Sequence, residues 1–353
     1  MRLAEYRPKS RLRTTTTPVA RPRFPAIDAH NHLGMAPGDD RPLRSAGELA
    51  EALDAAGLDA IVDLDGRWGE ALRAEIDRWQ RPLPGRVAVF AGLDYDRWAE
   101  DRAFGETEAA RLRDGVAAGA RGLKVWKTLG LRARDPGGRL VPVDDARLDP
   151  LWATAGELGV PVTIHVADPI AFFDPLDETN ERWEELQGHP DWHFWATRPP
   201  GRADEPGFPP FDELIDGLES LVARHPSTTF IGAHVGCAAE DLARVDRMLE
   251  AYPNWNVDIA ARIAELGRQP RRTRELFERW PDRILFGVDS GLDTAFYAVH
   301  FRFLETLDES FPYDVDDGEP PTQGRWAIHG LGLRDEILRQ VYRDNARRLI
   351  AFD

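Results

Sequence analysis

The sequence predicts a (β/α)8 barrel, for three reasons. Eight short apolar segments rich in β-branched residues alternate along the chain with segments of helical periodicity. Several apolar segments are nearly continuous, which is typical of parallel strands covered on both faces. The chain of 353 residues also has the length of a single barrel. We therefore expect one barrel domain over residues 26–353, preceded by an extended arm over residues 1–25.

Eight segments have the composition of barrel strands. They are 26–33, 59–66, 86–95, 120–127, 160–169, 227–236, 254–261 and 283–290. Right-handed crossovers between parallel strands would bring the carboxyl ends of all eight to one mouth of the barrel.

Seven segments between or after the strands have helical patterns. They are 45–57, 105–119, 144–159, 209–226, 237–253, 271–281 and 333–352. The first begins with Ser45 followed by Glu48, a capping-box pattern, and ends at Gly57. Most of the others stop at a glycine or a proline, as helices commonly do.

An open, doubly wound sheet is the alternative fold. That fold usually has a glycine-rich phosphate loop after its first strand, whereas this chain has His-Asn-His-Leu-Gly over residues 30–34. Two connections are long, 168–209 after the fifth strand and 291–333 after the eighth. Both would leave the predicted mouth, where long connections are commonly functional lids.

Composition limits the partners of the chain. A formal net charge of -16 argues against binding to nucleic acid, which requires clustered basic residues. No apolar run approaches the roughly 20 residues of a membrane-spanning helix.

The arm is basic, is broken by prolines and lacks the apolar segment of a secretory signal. A single cysteine, Cys237, fits a reducing compartment. We expect a cytoplasmic protein that acts on a small molecule, with the arm lying on the body or on a partner subunit of a homo-oligomer.

Ionisable residues recur at the predicted strand ends. His30 and His32 are one residue apart, so strand alternation sends both side chains to the same face. The other positions are Lys124, His165, His234 and Asp289. A single strand histidine is usually a core or surface residue, but imidazoles and a carboxylate from separate strands meeting at one mouth would suit Zn²⁺ or another divalent ion. The whole set in barrel order favours a metal site.

Four motifs carry a family resemblance: DAHNHLG, TIHVAD, IGAHVG and FGVDS, in this order on the predicted strands. They resemble the amidohydrolase superfamily, and are most similar to its amidohydrolase-related branch, amidohydrolase 2, over about residues 26–350. The resemblance implies a distorted barrel with one or two divalent ions at its mouth. It implies His30, His32, His165 and Asp289 as metal ligands, and His234 as a nearby residue that activates water or polarises the substrate.

Such a site predicts a hydrolase. Bound Zn²⁺ lowers the pKa of its water from about 15.7 to about 7. Asp289 would accept the proton of that water and return it to the leaving group, while His234 would polarise a carbonyl group. We expect cleavage of an amide, a lactone or an ester. The alternative is a lyase that decarboxylates or hydrates an unsaturated or aromatic carboxylic acid, and a third hypothesis is a barrel that binds a ligand without catalysis.

Lysine is rare in this chain, and two of its three lysines, Lys124 and Lys127, lie in the fourth predicted strand. By resemblance, Lys124 is the position where some members carry a carbamate that bridges two metals, in which case His165 and His234 would hold the second ion. Otherwise Lys124 is an ammonium that anchors an anionic substrate, or a structural residue. Strand alternation puts Trp126 on the face of Lys124 and Lys127 on the other face, unless Lys127 lies past the strand.

Two further residues are candidates for substrate binding. Arg262 follows the seventh strand, and its planar guanidinium would match a substrate carboxylate, although a surface arginine at a helix start is the alternative. Trp126 shares the inward face of Lys124. Aromatic residues in the connection 168–209 would either close over a substrate or fill a small core beneath the loop.

Overall fold

Eight parallel strands form the centre of the computed structural model, which describes residues 11–34, 45–195, 207–315 and 322–353. They pair in the order of the sequence. The strands are β1 Ala26–Asn31, β2 Leu58–Arg67, β3 Val87–Ala91, β4 Leu123–Val125, β5 Val162–Ile164, β6 Phe230–Gly232, β7 Trp255–Asp258 and β8 Ile284–Leu285. The amide of Ala29 donates to the carbonyl of Phe286 at 2.9 Å, which joins β1 to the segment after β8. The sheet is therefore a nearly closed barrel, and the predicted fold class is confirmed.

Most strands are shorter than the apolar segments that predicted them. β4 has three residues and β8 has two, because the backbone leaves the ladder where it enters the mouth. His234 and Asp289, just beyond β6 and β8, have the positive φ values of 59° and 55°. L-residues rarely adopt this conformation, and it is found preferentially at functional sites. The ends of the apolar segments thus build the site rather than the sheet.

Helices surround the barrel, and each of the seven predicted segments overlaps at least one of them. They span Ala46–Ala56, Gly69–Glu75, Phe104–Ala118, Asp149–Leu158, Trp183–Gly188, Phe211–Arg224, Leu242–Ala251, Ile263–Arg268, Pro270–Arg279, Thr294–Glu305, Asp335–Arg339 and Asn345–Leu349. The predicted capping box is present, with the Glu48 amide donating to Ser45 Oγ. Sequence patterns did not predict Gly69–Glu75, Trp183–Gly188, Ile263–Arg268 or Thr294–Glu305. The last of these is apolar on most faces and so lacks a clear helical period.

Two apolar layers hold the barrel together. The larger lies between the strands and the surrounding helices. The smaller fills the lower part of the barrel with Ile27, Val62, Phe90 and Leu285, and includes Ile350 and other residues near the carboxyl end of the chain. The carbonyl of Phe352 also accepts a hydrogen bond from the Gly85 amide at 3.0 Å. The carboxyl-terminal segment therefore closes the bottom of the barrel.

The described part of the arm, residues 11–25, has neither helix nor strand. It lies along the outside of the barrel, where Thr17 Oγ1 donates to Asp308 at 2.7 Å and Arg23 pairs with Asp335 at 2.8 Å. Residues 1–10 of the predicted arm are outside the described residues. Within the described residues, no helix has the length and apolar character needed to cross a membrane.

Candidate metal centre

Three side chains meet at the mouth of the barrel: His30, His32 and Asp289. The Nε2 atom of His32 lies 3.3 Å from Oδ1 of Asp289, and Nε2 of His30 lies 3.9 Å from Oδ2 of the same carboxylate. One ligand atom from each residue lies within 4.8 Å of the other two. Strand alternation thus places the two histidines on one face, as predicted, and the turn after β8 brings Asp289 across to them.

Each of the two histidines is held from behind by a carboxylate. Nδ1 of His30 lies 2.8 Å from Asp258 Oδ2, and Nδ1 of His32 lies 3.1 Å from Asp65 Oδ1. These contacts favour a hydrogen on Nδ1 and leave the lone pair of Nε2 directed at the site. Two such imidazoles and one carboxylate are an N/O donor set that fits a divalent metal ion. The residues present therefore fit the metal that the sequence predicts.

His234 also faces this group. Its Nδ1 donates to the carbonyl of Ala260 at 2.9 Å, and its Nε2 lies 3.7 Å from Asp289 Oδ2. The amide of His234 donates to Asp258 Oδ1 at 2.9 Å, which helps to hold the left-handed backbone at this position. Asp258 therefore positions both His30 and His234, a role that sequence patterns did not reveal.

His165 belongs to the same cavity but is oriented differently. Its ring lies 4.4 Å from that of His234. Its Nε2 is 3.0 Å from the carbonyl of Ala167 and 3.3 Å from Asp168 Oδ1. The structure brings His165 to the site without directing its Nε2 at Asp289.

The charges of the centre depend on burial and on close pairing. Burial lowers the pKa of His30 well below its ordinary value, and Lys124 and His32 lower it further, although Asp289 opposes the shift. Burial also acts to lower the pKa of His32, but hydrogen bonds to Asp289 and Asp65 outweigh it and raise that pKa to about 9. The Asp289 carboxyl has a pKa well below its usual range, because three histidines outweigh the effect of burial. The centre thus favours an ionised Asp289.

Lys124 is fully buried on β4. Its Nζ lies 3.3 Å from His30 Nε2 and 4.8 Å from the centre of the Trp126 ring. Burial lowers the pKa of this amine to about 8, against the opposing effects of Asp289 and Asp258. Trp126 in turn stacks on His32 at 5.0 Å and lines the cavity. Both residues therefore lie at the site, as predicted.

Lys127 lies on the wall of the cavity, which strand alternation alone did not place there. β4 ends at Val125, and the backbone of Lys127 is helical, with φ -59° and ψ -1°. Lys127 lies past the strand, where the alternation of side chains no longer applies. Its ammonium forms an ion pair with Asp168, whose other oxygen contacts His165.

The cavity at the mouth has a volume of about 610 Å³. Its walls include His30, His32, Trp126, Lys127, His165, Phe172, Arg182, Trp192, His234, Arg262, Asp289 and Gln323. The described part of the connection 168–209 contributes Phe172, Arg182 and Trp192. This connection therefore covers the site, as the sequence predicts for a long segment at the mouth.

Two arginines in the cavity differ in their partners. The guanidinium of Arg182 is paired with Glu185 at 2.7 Å and with Glu265. Arg262 is only 6% exposed, and its Nη1 donates to the carbonyl of Ala261 at 2.8 Å. Within the described ranges, no carboxylate oxygen lies within the 4.0 Å of an ion pair from Arg262.

Several residues of the site were missed by sequence patterns. Asp65 lies near the carboxyl end of β2 and Asp168 follows β5, so a search for carboxylates at strand ends would have found them. His32, the partner of Asp65, comes from the neighbouring strand and could not be read from local spacing, whereas His165 lies only three residues before its partner Asp168.

Comparison with known proteins identifies the family. The family model described as Amidohydrolase matches residues 27–352. A search of curated proteins found no match.

Solved structures share the fold at low sequence identity. A 2,6-dihydroxybenzoate decarboxylase from Rhizobium is 17% identical, with 92% of this chain and 98% of the other covered and a TM-score of 0.53. A putative amidohydrolase from Staphylococcus aureus is 16% identical, with coverages of 93% and 99% and a TM-score of 0.54. A 5-carboxyvanillate decarboxylase from Novosphingobium aromaticivorans, complexed with manganese, is 13% identical, with coverages of 95% and 99% and a TM-score of 0.54. Because the family model spans nearly the whole chain, this protein belongs to the amidohydrolase family and is a metal-dependent enzyme.

Proposed function

We propose that the protein is a metal-dependent lyase that removes CO2 from a small aromatic or unsaturated carboxylic acid. The observation that carries this proposal is the buried guanidinium of Arg262, which faces the cavity without a carboxylate partner among the described residues. Two of the similar structures are decarboxylases of aromatic acids, which supports the lyase over the hydrolase that the sequence favoured.

Arg262 provides the argument for an anionic substrate. A buried charge is costly unless it is paired, and Arg182 on the same wall meets this requirement with two glutamates. Among the described residues, the Arg262 guanidinium has one hydrogen bond, to the carbonyl of Ala261. A substrate carboxylate would supply the missing negative charge, and its two oxygens match the planar guanidinium.

The walls of the cavity support a flat substrate. Trp126 stacks on His32 at an interplanar angle of 22°, and Phe172 stacks on Trp192 at 21°. Aromatic walls with a few polar groups are typical of sites for small organic ligands. An aromatic or conjugated acid would bury its apolar surface here and keep its charged groups toward Arg262 and the metal centre.

We propose His30, His32 and Asp289 as metal ligands, with His165 as the further ligand expected from the sequence. When bound, a divalent ion such as zinc or manganese supplies Lewis-acid polarisation of an oxygen atom and lowers the pKa of water. We propose one ion per chain. Lys124 Nζ contacts His30 Nε2, so this amine is not arranged as a bridge to a second ion.

Residues of the chain itself would supply the proton that the reaction needs. Loss of CO2 from a carboxylate leaves an electron pair on carbon, which must take up one proton to complete the reaction. His234 has its Nδ1 held by Ala260, so its Nε2 faces the cavity beside Asp289. We propose that His234 Nε2 and the Asp289 carboxylate hold and deliver this proton.

Hydrolysis is the second candidate, and one observation favours it. The Asp289 side chain is 26% exposed to the cavity, and its oxygens lie within 3.9 Å of the Nε2 atoms of His30, His32 and His234. A carboxylate in this position is placed to accept a proton from a water molecule. In that case Arg262 would hold a carboxylate remote from the bond that is cleaved.

A panel of substrates separates the two functions. The metal-loaded protein is incubated with hydroxybenzoates and unsaturated acids, and separately with lactones and amides that carry a free carboxylate. Release of CO2 with the ring or chain retained is the expected result. Formation of two fragments without CO2 would assign the protein as a hydrolase, and unchanged recovery of every bound compound would leave only a ligand-binding role.

A further inference from the structure

A second cluster of carboxylates lies behind the metal centre. Asp63 and Asp65 are on β2, and Glu75 ends the helix Gly69–Glu75. One oxygen from each residue lies within 4.8 Å of the other two. None of the three is part of the donor set of His30, His32 and Asp289.

The cluster has an unusual set of unpartnered oxygens. Asp63 is fully buried, and its Oδ1 accepts from the amides of Leu33 at 3.2 Å and Asp65 at 3.1 Å. Its Oδ2 is buried without a hydrogen-bond partner among the residues that the structure describes. Among the described residues, Asp65 Oδ2 and Glu75 Oε2 also lack a partner within hydrogen-bond distance, although the Trp79 indole acts to lower the pKa of Glu75. Buried polar atoms are nearly always satisfied, so these orphaned oxygens indicate a bound group.

Nearby cations offset only part of this charge: His32 contacts Asp65 Oδ1, and Arg78 and Arg67 act to lower the pKa of Glu75. Arg67 Nη2 lies 4.0 Å from Asp65 Oδ2, which is beyond hydrogen-bond distance, and the Arg67 side chain is 30% exposed. Among the described residues, Asp63 has no lysine or arginine nitrogen within the 4.0 Å of an ion pair. Three carboxylates in a buried space repel one another strongly unless a positive charge lies between them.

We propose that Asp63, Asp65 and Glu75 bind a divalent cation at a second site, distinct from the catalytic metal. Oxygen atoms as far apart as 4.8 Å can contact a single ion at the roughly 2.4 Å typical of Ca²⁺. A donor set made only of carboxylate oxygens selects hard ions such as Ca²⁺, Mg²⁺ or Mn²⁺, in contrast to the imidazole-rich centre.

The site also has a role in the catalytic centre. Asp65 Oδ1 contacts His32 Nδ1 at 3.1 Å, while Asp65 Oδ2 and Glu75 Oε1 both lie within 3.1 Å of the position that a Cβ atom on Gly34 would occupy. A cation at the cluster would hold the Asp65 carboxylate in the orientation that fixes the His32 ring. Gly34 leaves room for this arrangement, because a Cβ atom there would lie 2.1 Å from Asp65 Oδ2.

Calcium titration tests the site. The full chain, with its catalytic metal bound, is titrated with Ca²⁺ by calorimetry, alongside Glu75→Gln and Glu70→Gln. Glu70 lies on the same helix but is exposed and outside the cluster, so its variant is the matched control. We expect one Ca²⁺ per chain in the wild type and in Glu70→Gln, and an affinity at least about tenfold lower in Glu75→Gln. The catalytic metal should stay bound in all three.

Two results would overturn the proposal. One is a wild-type chain that binds none of Ca²⁺, Mg²⁺ or Mn²⁺ beyond its catalytic metal, which would mean that shared protons neutralise the cluster. The other is equal Ca²⁺ affinity in Glu75→Gln and the wild type. If Glu75→Gln does not fold, wild-type crystals soaked in Mn²⁺ decide the question. Anomalous density between Asp63, Asp65 and Glu75 would support the site, and its absence at saturating Mn²⁺ would refute it.

Discussion

The two ends of the barrel are built from the same strands but by opposite rules. At the mouth, buried ionisable residues such as His30, His234 and Asp258 hold one another in place. At the bottom, apolar side chains such as Ile27, Phe90 and Ile350 fill the interior. Charged groups buried together are poor contributors to stability, whereas apolar burial is the main stabilising effect. The comparison therefore assigns chemistry to the mouth and most of the stability to the bottom.

The largest expected effect is at the mouth. We expect His30→Ala to lose the catalytic metal and to reduce kcat/KM by at least about 10³-fold, as removal of an essential catalytic group does. Its folding should persist, because the remaining mouth residues contribute little net stability. Elemental analysis, steady-state kinetics and circular dichroism measure these outcomes. His225→Ala is the control, because His225 is not among the residues that line the cavity. A His30→Ala variant with full metal content would contradict the assignment.

The second largest expected effect is on kcat/KM when Arg262, the proposed anion-binding residue, is replaced. Truncating one member of a buried charge pair costs about 2–5 kcal/mol, so Arg262→Gln should lower kcat/KM for a carboxylate substrate by roughly 30-fold or more. The metal content should not change. Arg274→Gln removes a surface arginine paired with Glu278 and should leave the kinetics unaltered. If Arg262→Gln lowered kcat/KM equally for a matched uncharged substrate, Arg262 would support the shape of the cavity rather than bind an anion.

The bottom of the barrel should respond in the opposite way. Ile350→Ala deletes a buried side chain and should reduce the free energy of unfolding by about 2–5 kcal/mol. The activity of the folded fraction should stay at the wild-type value. Denaturant titration and kinetics at 25 °C check both expectations, with the exposed Ala351→Ser as a control. If Ile350→Ala lost activity but kept its free energy of unfolding, the assignment of stability to the bottom and chemistry to the mouth would be wrong.

The smallest expected change concerns Lys124. With one metal ion per chain in the catalytic centre, Lys124→Met should leave the content of that centre at one, because no carbamate bridge is lost. Elemental analysis of Glu75→Gln and of the double variant Lys124→Met/Glu75→Gln counts the ions of this centre without those of the second cation site. A fall from two ions to one in the catalytic centre, together with extra density on the Lys124 amine of the wild type, would establish the carbamate instead.

Much of the fold was predictable because it depends on local patterns. The alternation of apolar and helical segments determined the barrel, and the Ser45 capping box marked the start of its first helix. Other helices were not predictable, because Thr294–Glu305 is apolar on several faces and has no marked period. The true strand ends also escaped prediction, since a short strand and the loop after it have similar compositions.

The sequence by itself determined which chemical groups reach the mouth, because the side-chain period of a strand and the parallel barrel together direct His30, His32, Lys124 and Asp289 there. Only the tertiary structure decided how these groups are paired. Asp65 behind His32, Asp168 beside Lys127, and Asp258 behind both His30 and His234 all depend on contacts between different strands and loops. Such contacts join residues that are distant in sequence, so no local pattern contains them.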